Sequence, residues 1–134
     1  MITGGCLCGT VRYEINGRVS PISLCHCSKC RRANGSAFHA GAACRQSKFR
    51  WLQGENLVRQ YRSPSGYTTC FCPSCGSPLP MLIPDGEYAI LPVGTLDGDP
   101  GSRAIHHIFF GSRAAWDEML DDLPHYHERA PDEL

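Results

Sequence analysis

Short stretches of alternating apolar and polar residues, each cut off by glycine or proline, run along most of this chain. Val11, Tyr13 and Ile15 alternate with Arg12 and Glu14 across residues 10–15, the period-two pattern of a half-buried strand, and Asn16-Gly17 then signals a tight turn. Residues 37–44 form a second candidate strand. Residues 49–52 and 57–62 read as a hairpin bent at Gln53-Gly54-Glu55, and Ser63-Pro64-Ser65-Gly66 turns the chain into a strand at 67–71. Residues 79–83 and 88–93, parted by Pro84-Asp85-Gly86, and residues 104–110 complete the set. One segment has another period. After Ser112, a possible cap, Trp116, Met119, Leu120 and Leu123 fall at helical spacing, which predicts a short C-terminal helix ended by Pro124. The polar tail from His125 is expected to fray. The pattern therefore predicts a mainly β, single-domain fold over residues 1–124, with a polar tail at 125–134.

Composition narrows the function. The chain has 134 residues, with Lys plus Arg and Asp plus Glu both 13, so its formal charge is zero. That balance argues against a nucleic-acid-binding arm or a polybasic membrane patch. No uncharged apolar run is long enough to span a bilayer. Met1-Ile2-Thr3-Gly4-Gly5 lacks the basic head and apolar stretch of a secretion signal, so a cytoplasmic setting is expected.

Nine cysteines are the outlying number. Nine is odd, and in a reducing compartment clustered thiols hold metal more often than they form disulfides. Three groups stand out: Cys6-Leu7-Cys8, Cys25-His26-Cys27-Ser28-Lys29-Cys30, and Cys72-Pro73-Ser74-Cys75-Gly76. The last is the strongest signal, because a C-x-x-C turn brings two sulfurs onto one ion and Gly76 lets the backbone bend around it. Two sulfurs do not close a tetrahedral site. Cys6 and Cys8 are the natural partners, since Gly4, Gly5 and Gly9 permit the turn that brings i and i+2 sulfurs together. A site of Cys6, Cys8, Cys72 and Cys75 reads as structural zinc; the alternative is four buried thiols or two disulfides. Cys25, Cys27 and Cys30 offer three thiolates and leave a fourth position for water or substrate, which is the mark of a catalytic zinc. A closed site stays open as the alternative, with a fourth ligand from His26, His39, Cys44 or Cys70. Zinc follows from ligand softness and spacing, although iron also occupies thiolate sites.

The order C-x-C, C-x-C-x-x-C and F-C-x-x-C-G resembles the glutathione-dependent formaldehyde-activating enzyme family, which includes centromere protein V. The matching residues are Gly5-Cys6-Leu7-Cys8-Gly9, then Cys25 to Arg32 with Asn34-Gly35-Ser36, then Phe71-Cys72-Pro73-Ser74-Cys75-Gly76. His106-His107-Ile108-Phe109-Phe110, Trp116 and Leu123-Pro124-His125-Tyr126 resemble its C-terminal stretch. The resemblance implies a zinc fold of several small coiled antiparallel sheets and two zinc ions. Cys6, Cys8, Cys72 and Cys75 would be the structural site, and Cys25, Cys27 and Cys30 the catalytic one. It implies a carbon–sulfur lyase: a glutathione-like thiol held as thiolate adds to formaldehyde or another small aldehyde, or the reverse.

Arg31 and Arg32 follow the cluster and either pair with a substrate carboxylate or sit as a solvated pair. His106 and His107 face opposite ways on a strand, so at most one looks into a site, and core or surface placement is expected. Cys44 and Cys70 lie outside the seven-cysteine pattern and read as buried free thiols. Two further readings remain open at this point: a non-catalytic zinc module that binds a partner, and a thiol redox protein.

Overall fold

The computed structural model describes residues 1–118 and 121–131. Ten strands form three sheets. β1 (Ile2–Gly5), β2 (Arg12–Ile15) and β5 (Phe49–Gln53) make a three-stranded antiparallel sheet in the order β1-β2-β5. β3 (Ile22–Cys25), β4 (His39–Arg45), β8 (Met81–Leu82), β9 (Tyr88–Pro92) and β10 (Ala104–Ile108) form a five-stranded sheet in the order β10-β3-β4-β9-β8. Its β10–β3 pair is parallel, and the other pairs are antiparallel. β6 (Arg59–Arg62) and β7 (Thr68–Phe71) form a separate ribbon.

The alternation at residues 10–15 works as its period requires: Val11, Tyr13 and Ile15 all point inward and are fully buried. Tyr13 and Ile15 join Val19, Ala42, Cys44, Ala89 and Leu91 in the main core. Val11 points into a second core with Cys6, Cys72 and Leu79, which places the apolar filling directly against two of the grouped cysteines.

Four expectations change. The hairpin bent at Gly54 does not form: β5 pairs with β2, and β6 pairs with β7. Gly54 takes φ 78 and its place lies within 2.3 Å of the Thr10 carbonyl for any added Cβ, so the turn packs on the β2 approach and directs the chain away into the ribbon.

Among the described residues the α-helix lies at α1 (Ser28–Asn34), starting inside the second cysteine group. Lys29, Arg31, Arg32 and Ala33 favour a helix; the Cys27 sulfur accepts the Cys30 N–H at 3.3 Å as its cap, and Gly35 ends it at φ 59. After Ser112 no helix forms among the described residues. Phe110–Ser112 make one 3-10 turn, and Trp116, expected on the apolar face, is 71% exposed. Asp117 stands against His26, its Oδ2 3.3 Å from Nδ1; Met119 and Leu120 lie outside the described residues.

The tail is docked where it is described. The Tyr126 N–H donates to the His107 carbonyl, and the Phe110 and Phe109 N–H groups donate to the carbonyls of Tyr126 and Glu128, all at 2.8–2.9 Å. No helix among the described residues is long and apolar enough to cross a membrane.

Candidate functional site

The first cysteine cluster joins two turns far apart in sequence. Beyond β1 the chain turns through Cys6 to Gly9, where the Gly9 N–H donates to the Cys6 carbonyl at 3.1 Å. Beyond β7 it turns from Cys72 to Gly76, where the Gly76 N–H donates to the Cys72 carbonyl at 2.8 Å. Both glycines sit in the left-handed region, at φ 80 and 78, where a side chain would be strained. The ligand atoms of Cys6, Cys8, Cys72 and Cys75 lie within 4.8 Å of one another. Cys6 and Cys8 sulfurs are 3.6 Å apart, and Cys8 and Cys72 sulfurs 3.8 Å. A tetrahedral ion with metal–sulfur bonds of about 2.3 Å sets its sulfurs about 3.8 Å apart, close to these two distances, so this cluster could hold a metal ion. Polar groups already face the sulfurs. The Val11 N–H donates to Cys6 at 3.4 Å, and the Thr10 hydroxyl lies 3.1 Å from the Cys8 sulfur. The hydroxyl and backbone of Ser77 draw the Cys75 thiol down to about 5.

The second cluster is local. Cys25 ends β3, Cys27 caps α1 and the buried Cys30 lies in its first turn, so one strand-to-helix turn gathers three sulfurs within 4.8 Å. Among the described residues no fourth His, Cys, Asp or Glu joins them. This group too could hold a metal ion, with one position left to an outside ligand. The contact between Cys25 and Cys30 draws the Cys30 thiol down to about 6 and pushes the Cys25 thiol strongly up. The Tyr67 hydroxyl donates to the Cys30 sulfur at 3.2 Å. Burial, and then the contact with that sulfur, pushes the Tyr67 hydroxyl well above its ordinary range, so it stays a donor.

Cys30 and Tyr67 open on a cleft of about 790 Å³ between α1, the β6–β7 ribbon and the edge of the five-stranded sheet. His39 and Cys70 also line it, without joining the sulfur group. Burial lowers the His39 pKa and raises that of Cys70. The other two proposed fourth ligands lie elsewhere: Cys44 is 2% exposed in the main core, its thiol pushed up to about 11 by burial, and His26 turns away from its neighbouring sulfurs. Of the two arginines, Arg32 lines the cleft, while Arg31 is half-buried with no hydrogen-bond partner for its Nε among the described residues.

Behind the second cluster lies a buried array that sequence reasoning did not find. His26 Nε2 is 2.7 Å from His107 Nδ1, and His107 Nε2 is 3.1 Å from an Asp121 carboxylate oxygen. A carboxylate only accepts, so His107 carries its proton on Nε2, its Nδ1 accepts, and His26 donates from Nε2. His26 Nδ1 then faces Asp117 Oδ2 at 3.3 Å, and neither atom has a hydrogen bond among the described residues. Burial lowers the His26 pKa, and the rings of Phe38 and Phe110 pack on it. His106, on the opposite face of β10, is also buried and meets Ser23 Oγ at 3.0 Å. Of the core or surface placement expected, both histidines take the core; the His26 and Ser23 side chains they meet lie 81 and 83 residues away, beyond the reach of any local pattern.

A sequence model described as glutathione-dependent formaldehyde-activating enzyme matches residues 1–112. Among solved structures, a crystal structure of a Rhodobacter sphaeroides protein is 27% identical, covering 72% of this chain and 89% of its own, with a TM-score of 0.57. No curated protein matches the chain.

Proposed function

Because the chain belongs to the glutathione-dependent formaldehyde-activating enzyme family, we propose that it is a zinc-dependent carbon–sulfur lyase. It would add a small, glutathione-like thiol to formaldehyde or another small aldehyde, or run the reverse. In this reading Cys6, Cys8, Cys72 and Cys75 hold a structural zinc, and Cys25, Cys27 and Cys30 hold a second one at the reaction site. The observation that carries the reading is the difference in closure: four sulfurs meet at one cluster, whereas three meet at the other beside a cleft. When bound at the three-sulfur group, zinc would supply Lewis acidity that keeps a thiol nucleophilic at neutral pH.

The chain's own residues do the rest. The cleft admits the thiol beside Cys30 and holds the aldehyde against its sulfur. The sulfur adds to the carbonyl carbon, the carbon–oxygen π bond breaks toward oxygen, and the proton lost by the thiol is regained there as a hydroxyl. The Tyr67 hydroxyl fixes Cys30 through its hydrogen bond and keeps that sulfur from turning into the space the thiol needs. A cytoplasmic setting, where thiols stay reduced, suits both sites.

Metal stoichiometry with cobalt substitution tests this. Two ions per chain are expected, and adding millimolar thiol should change the visible spectrum of cobalt in the three-cysteine group. A spectrum indifferent to thiol, or one showing a protein sulfur or imidazole as the fourth ligand, would replace the enzyme with a non-catalytic zinc module.

A further inference from the structure

We infer that the thiol taken by this cleft has an apolar body and a single anionic end, and that glutathione is the poorer ligand; this rests on the proposed thiol chemistry at the three-cysteine group. Formaldehyde is one carbonyl, so a cleft of about 790 Å³ is shaped by the thiol that accompanies it. Much of the lining is apolar or aromatic: Phe71, Leu79, Met81 and Ile90, together with the rings of Tyr61 and Tyr67. Asn34, His39, Ser63, Thr68 and Thr69 supply the polar part of the lining. The apolar remainder suits a hydrocarbon body better than the two peptide groups of glutathione, which lose water on entry.

Charge is the sharper argument. Lys29 and Arg32 line the cleft, and among the described residues no aspartate or glutamate does. The two cations are three residues apart on α1 and share a face with Cys30 between them in sequence. A carboxylate attached to a thiol of suitable length finds a lysine and a forked guanidinium on the helix that carries the sulfur group. Glutathione brings two carboxylates and an ammonium, and its ammonium would enter a cleft with two cations and no anion to pair with.

The test uses the full chain loaded with cobalt, titrated with mercaptohexanoate, with aminohexanethiol of the same length, and with glutathione. Dissociation constants are read from the cobalt spectrum. Mercaptohexanoate should bind about tenfold more tightly than either of the others. Lys29→Gln with Arg32→Gln, both exposed positions, should bring it to within about threefold of aminohexanethiol while leaving the latter no weaker. Glutathione binding as tightly as mercaptohexanoate, or a preference that survives the double substitution, overturns the assignment. Spectra that respond equally to all three thiols remove this inference and leave the enzyme reading standing, whereas spectra that respond to none remove both.

Discussion

The two cysteine clusters use the same side chain for different structural work. Cys8 and Cys72 are 64 residues apart, so an ion at the first cluster ties the N-terminal turn to the end of the ribbon. Chain-entropy scaling values the closure of such a loop at about 4 kcal/mol, against about 2 kcal/mol for the few residues from Cys25 to Cys30. The first cluster also borders a small core in which Val11 and Leu79 pack with Cys6 and Cys72. The second lies on a turn that β3, α1 and the buried His26 position. A long tie has every sulfur committed to it. A short, already supported turn can leave one coordination position free for chemistry.

Cys72→Ala should have the largest effect. It opens the long tie and leaves three buried or turn-held sulfurs around a vacancy, a loss comparable to the whole stability of a small domain, about 5–15 kcal/mol. Cooperative thermal unfolding followed by circular dichroism should disappear; a melt within a few degrees of the parent would make the two clusters equivalent. His107→Leu probes the support behind the second cluster. It strips the buried His26 Nε2 of its partner, and urea denaturation should register a loss of about 2–3 kcal/mol with the fold retained. An unchanged midpoint would show that the array does not brace the turn.

Cys27→Ala should cost less. It removes one sulfur of the local group and the cap of α1, about 1–2 kcal/mol in all, while metal analysis falls from two ions to one. Unfolding as complete as that of Cys72→Ala would mean that both sites are structural.

The smallest effect should come from Asp97→Asn. Hydrogen bonds from Arg12 at 2.5 Å and Thr3 at 2.6 Å hold the Asp97 carboxyl below its usual range and clamp the sheet that leads to the first cluster. A carboxyl lowered on folding stabilises the fold above the ordinary carboxylate range, and that contribution is lost as pH falls through its native value. The variant should therefore melt a few degrees lower at neutral pH, and the two melting curves should converge in acid. A gap that persists in acid would assign the difference to packing.

Much of this arrangement was legible in the sequence because its signals are local. Alternation at Val11, Tyr13 and Ile15 reports a buried face directly, and C-x-C and C-x-x-C spacings report sulfurs that share a turn. The missed elements are those whose reasons lie elsewhere in the chain. β1 carries two glycines that read as a break, yet Gly4 is needed because a Cβ there would stand 2.5 Å from the Tyr13 ring. α1 is short and largely polar, and its cap is a cysteine already assigned another role. The parallel pairing of β10 with β3, which brings His107 to His26, depends on a crossover that no local spacing encodes.

The tripeptide Cys25-His26-Cys27 faces two ways, with its sulfurs toward the three-cysteine group and its imidazole toward the interior. Its mounting is therefore independent of its cargo. The contacts of His26, with His107 and beside Asp117, are made away from the sulfurs and involve none of them. If both clusters hold metal as proposed, exchange at Cys25, Cys27 and Cys30 should be quicker than at Cys6, Cys8, Cys72 and Cys75.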